Sequence, residues 1–424
     1  MTALTATQLG GLTTTDVDEF SSTQLRGLTS TQLGALGETN FSELSATQVS
    51  GLLGTQLTGL TTTQMATLTT TDAGEFSSTQ LGALTTTQFN ALTTDAIGAV
   101  TATQGRGLTV TQLAGLTSTS INAFSTTALG GLTTTQARAF TSTQVGGIDE
   151  TAVLGFTSTQ LGALLNTQIA ALTTTSFNAL TSTQVGGFTS TQLGGLTTTQ
   201  LGALDTTSVD EFTSTQLRGL SSTQIGALGS TNFSELSSTQ QAQLTSTQIS
   251  GLTTTQLAGL TTTDVDELTS TQLRGLTSTQ IGALGETNFS ELNATQVAGF
   301  TSTQLTGLTA TQLGALTTTD AGEFSSTQLG GLTTTQFNVL TTDAIGAFSA
   351  TQGLGLTVTQ LAGLTSTSIN AFSTTALGGL TATQARAFTT TQIGGINETA
   401  VLGFTSTQLG SMTSAQIAAI TTTA

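Results

Sequence analysis

From Thr5 to Ile420 the chain reads as 52 consecutive eight-residue units, with no insertion or deletion anywhere in the frame. Numbered from Thr5-Ala6-Thr7-Gln8-Leu9-Gly10-Gly11-Leu12, the consensus is T-x-T-Q-φ-x-[GA]-L, where φ is apolar. A strict period of this kind leaves few options. Every octad must adopt one local structure and bury its apolar positions against neighbouring copies, so the expected architecture is a single continuous solenoid over 1–424. Position eight is Leu, Phe, Ile, Val or Met throughout, and position three is Thr except at Asp95, Asp343 and Ala415. Position five is apolar except at Gly105, Gln241 and Gly353, whereas positions two and six vary freely and are expected to face solvent.

Two local structures fit. In a helical reading, Thr at position one is an N-cap and Gln at position four is N3, which is the spacing of a capping box. Positions five and eight then share a helix face, and Gly or Ala at position seven lets the turn end and backbones approach. In a strand reading, β-branched Thr favours extension, but an odd separation puts positions five and eight on opposite faces. The expected fold is therefore an all-α repeat solenoid of short capped helices, one per octad, with a β-solenoid as the alternative.

Composition removes much chemistry. The chain has no His and no Cys, so thiolate nucleophiles, disulfides, structural zinc cages and Ser-His pairs are excluded by inventory. Carboxylates alone suggest no paired catalytic cleft, and a non-enzymatic protein is expected. A net charge of −17, with Lys+Arg at only 6, argues against nucleic acid and anionic membranes as partners. No apolar run is long enough to span a bilayer, and Met1–Leu12 lacks the basic and apolar regions of a conventional signal peptide.

A longer period overlies the octads. Residues 13–164 return as 261–412, an offset of 248 residues or 31 octads. Glu19, Glu43 and Glu75 at position seven are separated by 24 and 32 residues, and Glu211, Glu235, Glu267, Glu291 and Glu323 continue that alternation. Their mean step of about 3.5 octads predicts a superhelix with about that many octads per turn, on which the carboxylates align. The acidic octads are the candidate Ca²⁺ ligands: Asp16, Asp18, Glu19, Glu43, Asp72 and Glu75, then Asp264, Asp266, Glu267, Glu291, Asp320 and Glu323. A solvated acidic stripe is the competing reading. The six Arg, all at position six, are expected to pair with acids or lateral neighbours. Gly105 and Gly353 are expected to leave a dent in the apolar column, with a ligand notch as a further reading.

The ends suggest a joint. Residues 1–4 are the second half of an octad and 421–424 the first half, so joining them makes TTTAMTAL. Head-to-tail assembly through these half-octads is the expected partner contact, self with self.

The repeat, as in TSTQLGAL at 157–164 and TSAQIAAI at 413–420, resembles octapeptide-repeat tracts of very large bacterial secreted or surface proteins, often labelled adhesion or haem-utilisation proteins. The resemblance covers essentially the whole chain, although this sequence lacks Pro at position two. It implies a bacterial protein at the cell surface or outside the cell, without a conventional N-terminal signal. No His, Cys or Tyr is present to ligate haem, and no cofactor is expected beyond Ca²⁺ at the acidic octads. The expected function is a structural protein, a rigid stalk, spacer or self-assembling filament subunit. An adhesin or ligand-binding surface assisted by divalent cations is the alternative, followed by an ice-binding array of Thr-x-Thr.

Overall fold

In a computed structural model, which describes Met1 and residues 3–420, each octad forms one short α-helix. The described residues hold 52 helices, numbered in chain order from α1 (Ala6–Gly10) to α52 (Ser414–Ala419), and no strand. The β-solenoid is thereby excluded, and the helical reading stands. The chain divides into two compact units, Met1–Gly219 and Leu220–Ala424, each built on the same octad frame.

The octad α14 (Val110–Ala114) shows how the local structure arises. Thr109 is extended at φ −77°, ψ 154°, and its Oγ1 accepts from the Gln112 backbone N–H at 3.1 Å. The Gln112 Oε1 accepts in return from the Thr109 N–H at 2.7 Å and from its hydroxyl at 3.0 Å. Two N-terminal donors that a helix cannot satisfy itself are thus satisfied reciprocally. The first turn closes at once, and the short helix then stops where Gly115 and Leu116 carry the chain into the next cap. Leu113 and Leu116 are buried at 0% and 4% exposure.

The other end of the same glutamine ties successive turns together. Gln112 Nε2 donates to the carbonyls of Leu81 and Leu84 at 2.8 and 2.7 Å, which are positions five and eight of the octad four back. Gln80 binds Val49 and Leu52 at 2.7 and 3.0 Å in the same way, and in the second unit Gln360 binds Leu329 and Leu332 at 2.8 and 2.7 Å. A helix six residues long or shorter leaves its C-terminal carbonyls without partners of its own, and the glutamine amide supplies them from the next turn.

Backbones meet at a step of three octads. A Cβ on Gly59 would lie 2.0 Å from the Ser30 carbonyl oxygen, and one on Gly251 would lie 2.0 Å from that of Ser222. Neighbours three and four octads away on each unit correspond to about three and a half octads per turn, as the acid spacing predicts. The residue at position seven sets the local gap. A Cβ on Gly34 would lie 2.3 Å from the carbonyl oxygen of Gly59, on Gly10 it would lie 3.3 Å from that of Ala35, and on Gly314 it would lie 3.8 Å from that of Val339.

Gly105 and Gly353 leave no notch. Helix α16 (Thr126–Gly131) closes over Gly105, so that a Cβ there would stand 3.5 Å from both the Ala128 carbonyl oxygen and Leu132 Cδ2. At Gly353 the same distances, to Ala376 and Leu380, are 3.1 and 3.5 Å. The missing side chain is answered by small Ala128 and Ala376, which take the place of the usual glutamine.

Candidate functional site

The acidic octads divide by position. At position four, Asp16, Asp72, Asp264 and Asp320 replace the N3 glutamine and keep its capping role. Thr13 donates its N–H and its hydroxyl to Asp16 Oδ2 at 2.9 and 2.7 Å, and the N–H groups of Thr69, Thr261 and Thr317 reach their Asp partners at 2.7 Å. The hydrogen bonds from Thr13 hold the exposed Asp16 carboxyl below the usual carboxylate range. At position six, Asp18 and Asp266 are exposed. At position seven, Glu19, Glu43 and Glu291 are exposed, whereas Glu75, Glu267 and Glu323 are partly buried.

Burial raises the pKa of Glu75, Glu211, Glu267 and Glu323, and the nearby charge of Asp72, Asp205, Asp264 and Asp320 respectively raises it further. Glu75, Glu211 and Glu323 each turn one oxygen, Oε2, into the protein without a hydrogen-bond partner. Pairs of acids are brought together along single helices, as Asp72 and Glu75 are on α9 (Thr70–Glu75). Among the described residues no group of three or more acids converges on a point where a metal ion could sit. Asp266 and Glu267 share an open surface hollow of about 360 Å³ with Thr269, Ser270, Asn293 and Thr295, yet the Asn293 side chain is engaged in its own helix cap.

The arrangement the sequence did not announce is a polar seam between turns. Ten octads carry Ser or Ala at position four and so lack an acid, Asn or Gln there. All five Asn at position six lie four octads before one of these. Asn90 Oδ1 accepts from the Thr117 N–H at 3.1 Å and from the Ser120 hydroxyl at 2.8 Å, while its Nδ2 donates to the Gly115 carbonyl at 2.9 Å. Asn122 accepts from the Asp149 N–H at 3.1 Å, and Asn178 accepts from the Ser208 hydroxyl at 3.2 Å. In the second unit Asn338 serves Thr365 and Ser368, and Asn370 serves Asn397. Arg106, also at position six, donates from Nε to the Gly131 carbonyl at 2.7 Å. The signal was present in the sequence as an Asn 30 residues before five of these ten Ser or Ala residues, but it is visible only once the turn length is known.

Gln241 is a second case of compensation. It occupies the apolar column fully buried, and its Nε2 donates to the Leu236 carbonyl at 3.2 Å and to Asp264 Oδ1 at 3.3 Å. Asp264 has no amide with which to reach Leu236, and Gln241 provides the donor from the intervening turn. Ser234 adds a hydroxyl to Asp264 Oδ2 at 2.7 Å, so the buried carboxylate is surrounded by donors.

No helix among the described residues is long and apolar enough to cross a membrane. No protein-family model matches the chain, and no curated protein sequence matches it either.

Proposed function

We propose that this chain is a non-enzymatic structural solenoid that works outside the cell or at its surface as a spacer, stalk or filament subunit. The observation that carries the reading is the glutamine ladder: the glutamine that recurs at position four is spent on joining one turn to the next, as in Gln112 on Leu81 and Leu84. A protein whose repeated polar side chains face its own backbone is suited to transmitting position and force rather than to turning over a substrate.

Self-association head to tail is part of this proposal. The ladder is directional, with amide donors facing the preceding turn and carbonyl acceptors facing the next, so an open donor face and an open acceptor face are complementary. Gln8 and Gln24 have exposed side chains, unlike the buried glutamines of the ladder such as Gln80 and Gln112. The half-octad 421–424, which would complete the joint, lies outside the described residues. Light scattering with electron microscopy of the purified chain tests the reading: concentration-dependent fibres one subunit wide support it, and monodisperse monomers at millimolar concentration reject the self-association.

An adhesive surface assisted by Ca²⁺ is the second reading, favoured by the hollow that Asp266 and Glu267 share. Calcium titration followed by circular dichroism and calorimetry distinguishes it, since a spacer has no saturable calcium term.

A further inference from the structure

Position three is the least variable exposed position in the octad, and folding does not account for it. It is Thr in 49 of 52 octads (52 less Asp95, Asp343 and Ala415) and never Ser. All 52 position-three residues are exposed. Thr239 aside, only Thr63 among these described threonines engages its hydroxyl in a hydrogen bond, with Thr61 Oγ1 at 2.9 Å. The N-cap work belongs to position one, which tolerates Ser, Asp, Asn, Gly and Leu.

Copying alone cannot explain the constancy. Positions two and six of the same octads have drifted through Ser, Ala, Glu, Val, Asn, Arg, Asp and Leu while position three stayed fixed. Helix propensity does not explain it either, because Thr at an exposed helical position is a poorer helix former than Ala, Glu or Gln. Solvation does not require the methyl that separates Thr from Ser. Something outside the fold reads a free hydroxyl on a β-branched carbon.

The winding narrows what that is. About three and a half octads per turn is not a whole number, so successive position-three threonines are distributed around the turn instead of forming one plane. A flat partner, whether an ice surface or a sheet, would touch only a fraction of them, yet the constancy runs through the whole array. Each hydroxyl must therefore be used singly, and each sits in the same local frame, two residues after an N-cap. We propose that the position-three threonines are acceptors for O-linked sugars, which form a neutral sheath on a chain of which only 7% of residues are charged.

The transfer is a displacement at the anomeric carbon of a nucleotide-activated sugar. Thr Oγ1 forms the new C–O bond, the bond from the anomeric carbon to the nucleotide phosphate breaks, the nucleoside diphosphate leaves, and the hydroxyl proton passes to a base of the transferase. No oxidant or reductant is involved. Asp95, Asp343 and Ala415 are internal blanks.

The test uses the protein isolated from the cells that make it. Intact mass should exceed the sequence mass by sugar increments, and electron-transfer fragmentation should place them on position-three threonines and not on position-one threonines, whose oxygens are held in caps. An unmodified mass overturns the proposal, as does occupancy spread evenly over all exposed Ser and Thr. So does thermal hysteresis in unmodified protein, which would assign the array to ordered water. Replacing Thr103, Thr111 and Thr119 together by Ser should leave the melting curve unchanged and lower occupancy at those three sites; a large fall in melting temperature would show that the threonines serve the fold, and overturn it.

Discussion

Two consecutive octads, residues 69–76 and 77–84, are built by the same rule and held very differently. In 77–84, Gln80 caps its helix and reaches back to Val49 and Leu52, and a Cβ on Gly82 would lie only 2.2 Å from the Gly107 carbonyl oxygen. In 69–76, Asp72 caps but has no amide to reach back, nothing lies within 4 Å of a Cβ on Gly74, and Glu75 turns an unpartnered oxygen inward. Phe76 also lacks the C-cap backbone hydrogen bond that Leu84 makes to Leu81. Octad 317–324 repeats the loose form in the second unit. The cap and the tie are thus separable functions of position four. A carboxylate performs the first, and only an amide performs both.

The largest test of that contrast is at the close backbone approach. Gly107→Ala puts a Cβ 2.1 Å from the Ser78 carbonyl oxygen, and should destabilise the tight turn by about 3 kcal/mol in denaturant unfolding. Gly74→Ala, with open space around it, should instead be neutral or stabilising by about 0.5–1 kcal/mol. Equal effects at the two sites would erase the distinction between tight and loose octads.

Gln80→Ala leaves the Ser77 N–H and the carbonyls of Val49 and Leu52 without the amide and should cost about 2–4 kcal/mol, whereas Gln80→Asp keeps the cap and should cost less. Hydrogen exchange should show the loss centred on residues 49–52 and 77–80. The converse change, Asp72→Gln, gives the loose octad an amide directed at Phe41 and Leu44, and should add about 1 kcal/mol. The same logic applies to an octad served by neither device: Ala66→Asn places an acceptor four octads before Ala96, and should stabilise by about 0.5–1 kcal/mol.

Acidity gives the smallest effect per site. Burial holds Glu75, Glu211 and Glu323 above the ordinary carboxylate range, so the folded state binds protons that the unfolded chain still releases. Their contribution is unfavourable at neutral pH. It is relieved as pH falls through the raised values, and relief is complete below the ordinary Glu range. Stability should therefore rise modestly between pH 7 and pH 5, and the rise should shrink in Glu75→Gln plus Glu323→Gln. A melting temperature that falls over this interval would contradict the assignment.

Much of this was legible in the octad. The capping box follows from Thr and Gln three apart, the core from positions five and eight, and the turn length from Glu19, Glu43 and Glu75. The tie was not legible, because Gln112 meets backbone carbonyls 28 and 31 residues away, and a carbonyl acceptor leaves no mark in the sequence. The Gly105 notch failed for a related reason: the helix that fills it belongs to an octad three further on, with Ala128 in place of Gln. The acidic residues were individually conspicuous, and what their sequence did not show is that at position four one oxygen of each, Oδ2, caps its own helix.

The direction of the glutamine ties has a kinetic consequence. Each amide seeks carbonyls already synthesised, never ones still to come, and the sequence separation is about thirty residues at most. A chain emerging from its N-terminus can add turns one at a time onto a finished template, with no segment waiting for a distant partner. The Asn90 type of contact reverses that order, so it marks the few octads that pause until a later turn has been made.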